Sequence, residues 1–269
     1  MDFVKDLQKR LARIGLGRKG RGDLLTSEQH TVLDAVDALI HGRITVHTEE
    51  VINTRTGAIY YHEVLCRLQD ADGSPLNTFQ TLMRLQSWGF YREVSGILVG
   101  QACAYGLKSQ QPIGINIGPQ IIQSTNGRRV FAGLLDTWIE AGLKPKNIAL
   151  EIVESAPFEL TPARHAWLQE LRSKGIRIGL DDFGEGYHTM YHLRDLPLDF
   201  IKLDGHIVHD VLAGKGPAWV AEALDICKER GITVIAEHPH TPAEAVSLQG
   251  LGIDYVQSRN LKAADFTHP

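Results

Sequence analysis

Cysteine is scarce: the 269 residues include only Cys66, Cys103 and Cys227, widely spaced and with no metal-ligand clustering. That spacing argues against a disulfide framework and a thiolate metal centre, and predicts free thiols in a reducing compartment. Long apolar runs are missing too. GILVG at 96–100 is typical of those present, and it is far too short to span a bilayer. The first residues are charged where a signal peptide would need an apolar stretch, so the expected location is cytoplasmic, with a piece of a longer membrane protein as the alternative. A basic excess is also lacking. A net charge of −4 predicts no general attraction to nucleic acid polymers. No internal repeat or low-complexity linker interrupts residues 43–265.

What is present fits a globular chain of one large or two small domains, with 43% hydrophobic and 22% charged residues. The first 22 residues stand apart, with seven Lys/Arg and two Asp. Phe3, Leu7, Leu11 and Ile14 fall at helical spacing, so residues 2–14 read as a basic amphipathic helix, ended by the Gly-Arg-Lys-Gly-Arg-Gly stretch at 17–22. Its apolar face is expected to pack on the main domain, with a membrane surface or a partner protein as the alternative. Residues 1–42, this helix and a lead-in helix, are set apart from a main domain at 43–265.

From residue 43 short apolar runs alternate with amphipathic segments. The runs are ITVHTEEVI (44–52), IYYHEVLCR (59–67), PIGINIG (112–118), NIALEIV (147–153), IRIGLDD (176–182), DFIKLD (199–204), ITVIAE (232–237) and DYVQ (254–257). Helix signals lie between them. Thr161 and Pro162 open one segment and Gly175 stops it, and Thr241 with Glu244 forms a capping box. This alternation predicts an α/β fold, a (β/α)8 TIM-type barrel with a short N-terminal helical extension. The short turn Thr54–Gly57 suggests a hairpin, so the first strand is expected to run antiparallel. A doubly wound open sheet is weaker, because no G-x-G-x-x-G follows the first run.

In such a barrel the chemistry sits at the C-terminal ends of the strands. Read to their ends, successive runs present Glu63, Asn116, Glu151 with Glu154, Asp181 with Asp182, Lys202 with Asp204, Glu237 and Gln257. Carboxylates crowded at one mouth repel unless something positive holds them. Hard divalent cations fit, since the donors are all oxygen and no Cys or His clusters with them. The adjacent Asp181 and Asp182 would let one carboxylate bridge two ions while its neighbour binds one.

In order and spacing these residues resemble the EAL-domain cyclic di-GMP phosphodiesterases. EVLCR at 63–67 resembles E-A-L-x-R, NIG at 116–118 resembles N-I-S, and EIVE at 151–154 resembles E-L-T-E. DDFGEGY at 181–187 resembles D-D-F-G-T-G-Y, IKLD at 201–204 I-K-I-D, AEHPH at 236–240 A-E-G-V-E, and VQS at 256–258 Q-G. The resemblance implies hydrolysis of cyclic di-GMP to linear pGpG with two cations, Mg2+ or Mn2+. It implies that Glu63, Asn116, Glu151 and Asp181 bind the first ion, and Asp181, Asp182 and Glu237 serve the second. Lys202 would hold the attacking water, Glu237 would act as general base where one is needed, and Gln257 would orient the site. Glu154 would anchor the loop after Asp182. Arg67 would grip a phosphate, with Glu63, Leu65, Asp204 and Gln257 as further substrate contacts. A homodimer near the loop after Asp182 is a further expectation.

The chain departs from the family pattern at Glu49 (for Gln), Glu50 (for Pro), Leu68 (for Trp), Glu185 (for Thr), His240 (for Glu) and Ser258 (for Gly). None of these removes an expected metal ligand. The rival readings are a cyclic di-GMP receptor with little turnover and a protein-interaction domain. The isolated pair His209-Asp210 and the rim histidines His206, His209, His238 and His240 are expected to have no phosphohydrolase or zinc role.

Overall fold

All eight strand-length runs form strands. They lie in sequence order around a closed barrel in the computed structural model, which describes residues 2–13, 26–157, 159–184 and 186–267. Among the described residues two helices precede the barrel, α1 (Phe3–Arg13) and α2 (Ser27–Ile40). β1 (Ile44–Asn53) and β2 (Ile59–Leu68) follow, then α3 (Thr78–Ser87) and α4 (Tyr91–Ser109). Next come β3 (Ile113–Ile117), α5 (Pro119–Gln123), α6 (Thr125–Glu140), β4 (Ile148–Ile152) and α7 (Pro162–Ser173). After them lie β5 (Arg177–Phe183), α8 (Met190–Asp195), β6 (Phe200–Leu203), α9 (Gly205–Leu212) and α10 (Trp219–Arg230). The chain finishes with β7 (Thr233–Glu237), α11 (Pro242–Leu248) and β8 (Tyr255–Gln257).

β1 is antiparallel to both neighbours, β2 and β8, and the other pairs are parallel. The hairpin forces this. Its turn closes with Gly57 at φ +68, and the Gly57 N–H donates to the Asn53 carbonyl at 2.8 Å. A connection that short can only reverse the chain.

Alternation along each strand sorts the apolar residues into two cores. Ile113, Ile115, Ile117, Ile148, Leu150, Ile152, Ile178, Leu180, Ile201 and Leu203 join the large cluster that includes the surrounding helices. The residues between them point into the barrel, where Val51, Tyr61, Ala149, Phe200 and Ile235 form a separate fully buried cluster. Gly114 is needed in this interior: a Cβ there would lie 2.3 Å from Glu151 Oε1 and 2.7 Å from the Tyr61 ring.

The N-terminal helix turns its apolar face inward. Phe3 and Leu7 are buried, and the Phe3 ring lies against α4 where Gly96 leaves room for it. Arg10 lies 3.7 Å from the buried Glu93 of α4, and Arg92 is 3.5 Å from Asp6. Phe3 and Leu7, which a membrane-surface helix would insert, are thus occupied, while Lys5, Lys9 and Arg13 face solvent. Burying one leucine fully stabilises by roughly 1.5–3 kcal/mol, enough to favour this docking over an apolar face in water. Ile14 and the stop signal at 17–22 lie outside the described residues. Among the described residues no helix is long and apolar enough to cross a membrane.

Candidate active site

Lys202, on the inner face of β6, is the centre of the mouth. Its Nζ lies 2.7 Å from Asp181 Oδ1, 2.9 Å from Glu151 Oε2, 2.9 Å from Glu237 Oε1 and 3.4 Å from Glu63 Oε2. These acids come from β2, β4, β5 and β7, so sheet closure alone brings them together. Glu63 is held further by amides from β3 and β8: Asn116 Nδ2 donates to Oε1 at 2.7 Å and Gln257 Nε2 to Oε2 at 2.5 Å. All five charged groups are buried.

Burial and like charge shape their protonation. Burial pushes the Asp181 carboxyl up to about 6; the Lys202 ammonium opposes the rise and Glu63 and Asp182 add to it. Burial also raises Glu151 and Glu237 well above the usual carboxylate range, against the pull of Lys202. At Glu63 burial acts in the same direction, but Lys202 and the amide donors of Gln257 and Asn116 outweigh it and hold the carboxyl low. Burial would neutralise Lys202, yet the carboxylates around it keep its ammonium well above the ordinary lysine range. Crowding of this many carboxylates around one ammonium thus opposes their full ionisation while no cation is bound.

Adjacent residues of a strand face opposite ways, so Asp181 and Asp182 should diverge. They do not, because β5 carries a bulge. Leu180 pairs with Ile201 and Phe183 with Leu203, giving β5 one extra residue, and Asp182 takes φ +50. That left-handed conformation is uncommon for a side chain with a Cβ. It turns both aspartates to the mouth. Ligand atoms of Asp181, Asp182 and Glu237 then lie within 4.8 Å of one another, and this is the one such cluster found among the described residues. The buried Asn116 Oδ1 and Glu151 Oε1 have no hydrogen-bond partner, although buried acceptors are normally paired. Unpaired oxygens beside crowded carboxylates fit hard cations. Glu63, Asn116, Glu151, Asp181, Asp182 and Glu237 therefore suit the divalent ions expected for them.

A cleft of about 780 Å3 opens beside this cluster, lined by Asn116, Asp181 and Asp182 together with Leu65, Arg67, Met83, Glu154 and Tyr187. Leu65 and Arg67 thus lie on the wall of the cleft that opens onto the acids. Glu154 accepts from the His188 backbone N–H, which fits an anchor for the loop after Asp182. Asp204 is buried, and its Oδ1 caps α9 by accepting from the His206 N–H at 2.7 Å, so at least one of its oxygens serves the fold.

A sequence profile of the EAL domain matches residues 33–259. The chain belongs to the EAL domain family. It is 30% identical over 201 residues to the cyclic di-GMP phosphodiesterase PdeA of Borreliella burgdorferi, covering 72% of this chain and 30% of that protein. It is 33% identical over 201 residues to the cyclic di-GMP phosphodiesterase PdeB of Shewanella oneidensis, covering 72% of this chain and 23% of that one. The chain therefore spans about a third or less of the length of these relatives. Among solved structures, the PaMucR phosphodiesterase in complex with c-di-GMP superposes with a TM-score of 0.73 at 20% identity, covering 86% of this chain and 96% of that one, which supports the same EAL fold.

The departures from the EAL pattern have local explanations. Glu49 faces Glu63 across the hairpin, but Arg259 Nε reaches its Oε1 at 2.8 Å and offsets its charge. Glu50 accepts from the Ala263 N–H at 3.1 Å, and Leu68 is buried in the cluster beneath α2 and α3. Ser258 Oγ accepts from the Asn260 N–H at 3.2 Å. The His240 ring is exposed and stacks on His209 with centroids 4.4 Å apart. Glu185 lies outside the described residues.

The linear pattern did not reveal three contributors. Tyr61 lies on the inner face two residues before Glu63, its hydroxyl buried without a hydrogen-bond partner. Arg259 follows the last motif. His188 immediately follows the Asp181–Tyr187 motif, with its Nδ1 2.8 Å from the Asp181 carbonyl oxygen. Since a carbonyl only accepts, Nδ1 carries the proton. Burial pushes this imidazole down to about 4, so it is neutral in the physiological range.

Proposed function

We propose that this EAL domain hydrolyses one phosphodiester bond of cyclic di-GMP to give linear pGpG, using two divalent cations, Mg2+ or Mn2+. The observation that carries the reading is the convergence of Glu63, Glu151, Asp181 and Glu237 on Lys202, with Asp182 turned into the same mouth. The complete set of acids favours turnover over binding alone. The names of the relatives support the substrate.

Glu63, Asn116, Glu151 and Asp181 would hold one ion, and Asp181, Asp182 and Glu237 the other. When bound, such ions supply a nucleophilic water near neutral pH and offset charge on the phosphoryl oxygens. Lys202 orients the attacking oxygen and keeps a fixed positive charge beside the phosphorus as negative charge develops. Glu237, whose Oε1 lies 2.9 Å from Lys202 Nζ, would take the water proton where a general base is needed. Water adds across one P–O bond, leaving a 5′-phosphate, and the released ribose oxygen takes up a proton. Arg67 and Leu65 on the cleft wall seat the remaining nucleotide, with Arg67 pairing with the phosphate that is not cut. Gln257 holds Glu63 in place from β8. The half-exposed Tyr187 and Tyr191 offer a surface for a second copy beside the loop after Asp182.

The test is incubation of purified protein with cyclic di-GMP and Mn2+, followed by chromatography. Appearance of pGpG that stops in excess chelator is the expected result. Cleavage at an unchanged rate in chelator would remove the two-metal assignment, and intact cyclic di-GMP that still binds would favour the receptor reading.

A further inference from the structure

The two aspartates face one mouth only because the peptide between them is turned out of the strand. Among the described residues neither Asp181 nor Asp182 has a register partner on β4 or β6: β4 pairing stops at Leu180, and β6 pairing jumps from Leu180 to Phe183. The Asp181 carbonyl at the bulge therefore needs an acceptor's partner from elsewhere. His188 supplies it at 2.8 Å through Nδ1–H. The ring is held in turn: its side chain is 1% exposed, its own backbone N–H donates to Glu154, and its ring edge meets His192 at 6.1 Å between centroids.

This contact acts on one dihedral. The Asp181 carbonyl lies in the Asp181–Asp182 peptide plane, and the orientation of that plane sets φ of Asp182. Fixing the carbonyl holds Asp182 at φ +50, a region that a residue with a Cβ otherwise leaves. A relaxed, extended Asp182 would point away from Asp181 and Glu237. We propose that His188 is the positioning residue that locks the β5 bulge and so sets the geometry of the second cation site. The inference rests on the two-cation reading above.

The test compares wild type, His188→Ala and His188→Asn. The asparagine amide Nδ2–H can occupy the place of the imidazole Nδ1–H, without the ring. Three quantities are measured: Mn2+ affinity by titration calorimetry on the apoprotein, kcat and KM for cyclic di-GMP, and the melting temperature in chelator. His188→Ala should weaken Mn2+ binding by roughly 10- to 100-fold, the usual effect of losing a partner one step behind a metal ligand. kcat should fall with it at saturating nucleotide, while KM stays within a few-fold, since His188 is not among the residues lining the cleft. His188→Asn should recover most of the Mn2+ affinity. The proposal falls if His188→Ala binds Mn2+ like the wild type. It also falls if His188→Asn is folded but as poor as His188→Ala, because ring volume rather than the donor would then matter. A wild type that neither binds Mn2+ nor cleaves the nucleotide overturns the site reading and this proposal together; a wild type that does both, with an unaltered His188→Ala, overturns this proposal alone.

Discussion

One strand carries Phe200 and Lys202 on the same inner face, two residues apart, yet they belong to opposite environments. Below, Phe200 meets Tyr61, Val51, Ala149 and Ile235 in a buried apolar cluster. Above, Lys202 meets carboxylates from four strands. The same step of two residues separates Tyr61 from Glu63, Gly114 from Asn116, Ala149 from Glu151, Gly179 from Asp181, Ile235 from Glu237 and Tyr255 from Gln257. The lower layer is apolar and well filled. The upper layer crowds like charges that destabilise the metal-free fold. The contrast teaches how one architecture divides its work: the lower layer closes the barrel, and the upper layer stores repulsion that a cation can relieve.

The strongest way to break this contrast is to remove the shared cation. Lys202→Ala removes the one ammonium that Glu63, Glu151, Asp181 and Glu237 share. Breaking a buried ion pair from one side costs about 3–5 kcal/mol. Urea unfolding of the chelated protein should show a loss of that order, with turnover at background. Unchanged stability would mean that the acids are already neutral and that Lys202 holds nothing.

A smaller effect is expected where the layers touch. Gly114→Ala places a Cβ between the Tyr61 ring and Glu151 Oε1, where there is no room. Overpacking of this kind costs about 1–3 kcal/mol. The melting temperature should drop, and Mn2+ binding should weaken as Glu151 is displaced. A variant that loses stability but binds Mn2+ normally would show that the lower layer yields instead.

The upper layer should also show itself in pH dependence. Burial raises the Asp181 carboxyl from 3.8 to about 6, so between those values the folded chain holds a proton that the unfolded chain has released. Its contribution to stability is thus full below pH about 4 and is lost as the pH rises through about 6. Cation binding needs the released form, so stabilisation by Mn2+ should grow over the same interval. Calorimetry with and without Mn2+ should find melting temperatures that diverge from pH 5 to 7. In Asp181→Asn that divergence should shrink; an equal divergence would assign the effect to other groups.

The smallest effect is expected at the rim. Arg259 is largely exposed, and exposed ion pairs contribute about 0–1 kcal/mol. Arg259→Ala should leave stability nearly unchanged. With Glu49 no longer offset, KM for a dianionic nucleotide should rise a few-fold while kcat holds. A change in kcat would place Glu49 closer to the chemistry than its pairing with Arg259 implies.

Much of the fold was legible in the linear pattern. Each of the eight runs became a strand because a short apolar run and its flanking turn residues are local properties. The short turn at Thr54–Gly57 sufficed for the antiparallel β1. The site acids were legible for the same reason, since strand ends in a closed barrel share one mouth. Less legible were contacts that depend on where distant segments meet. His188 is seven residues from Asp181, and no spacing rule says that its ring returns to that carbonyl. Arg259 reaches Glu49 only because β8 closes the barrel on β1.

By itself, the sequence determined the strand and helix segments and the set of acids, amides and lysine at the strand ends. These follow from side-chain periodicity and from chain stereochemistry at turns, which need no partner. Tertiary structure alone decided that Asp182 turns beside Asp181, that Lys202 stands at the centre of four carboxylates, and that the apolar face of α1 is covered by α4. Each of these is a balance of burial, repulsion and hydrogen bonding between segments far apart in the chain, and such a balance exists only once the barrel has closed.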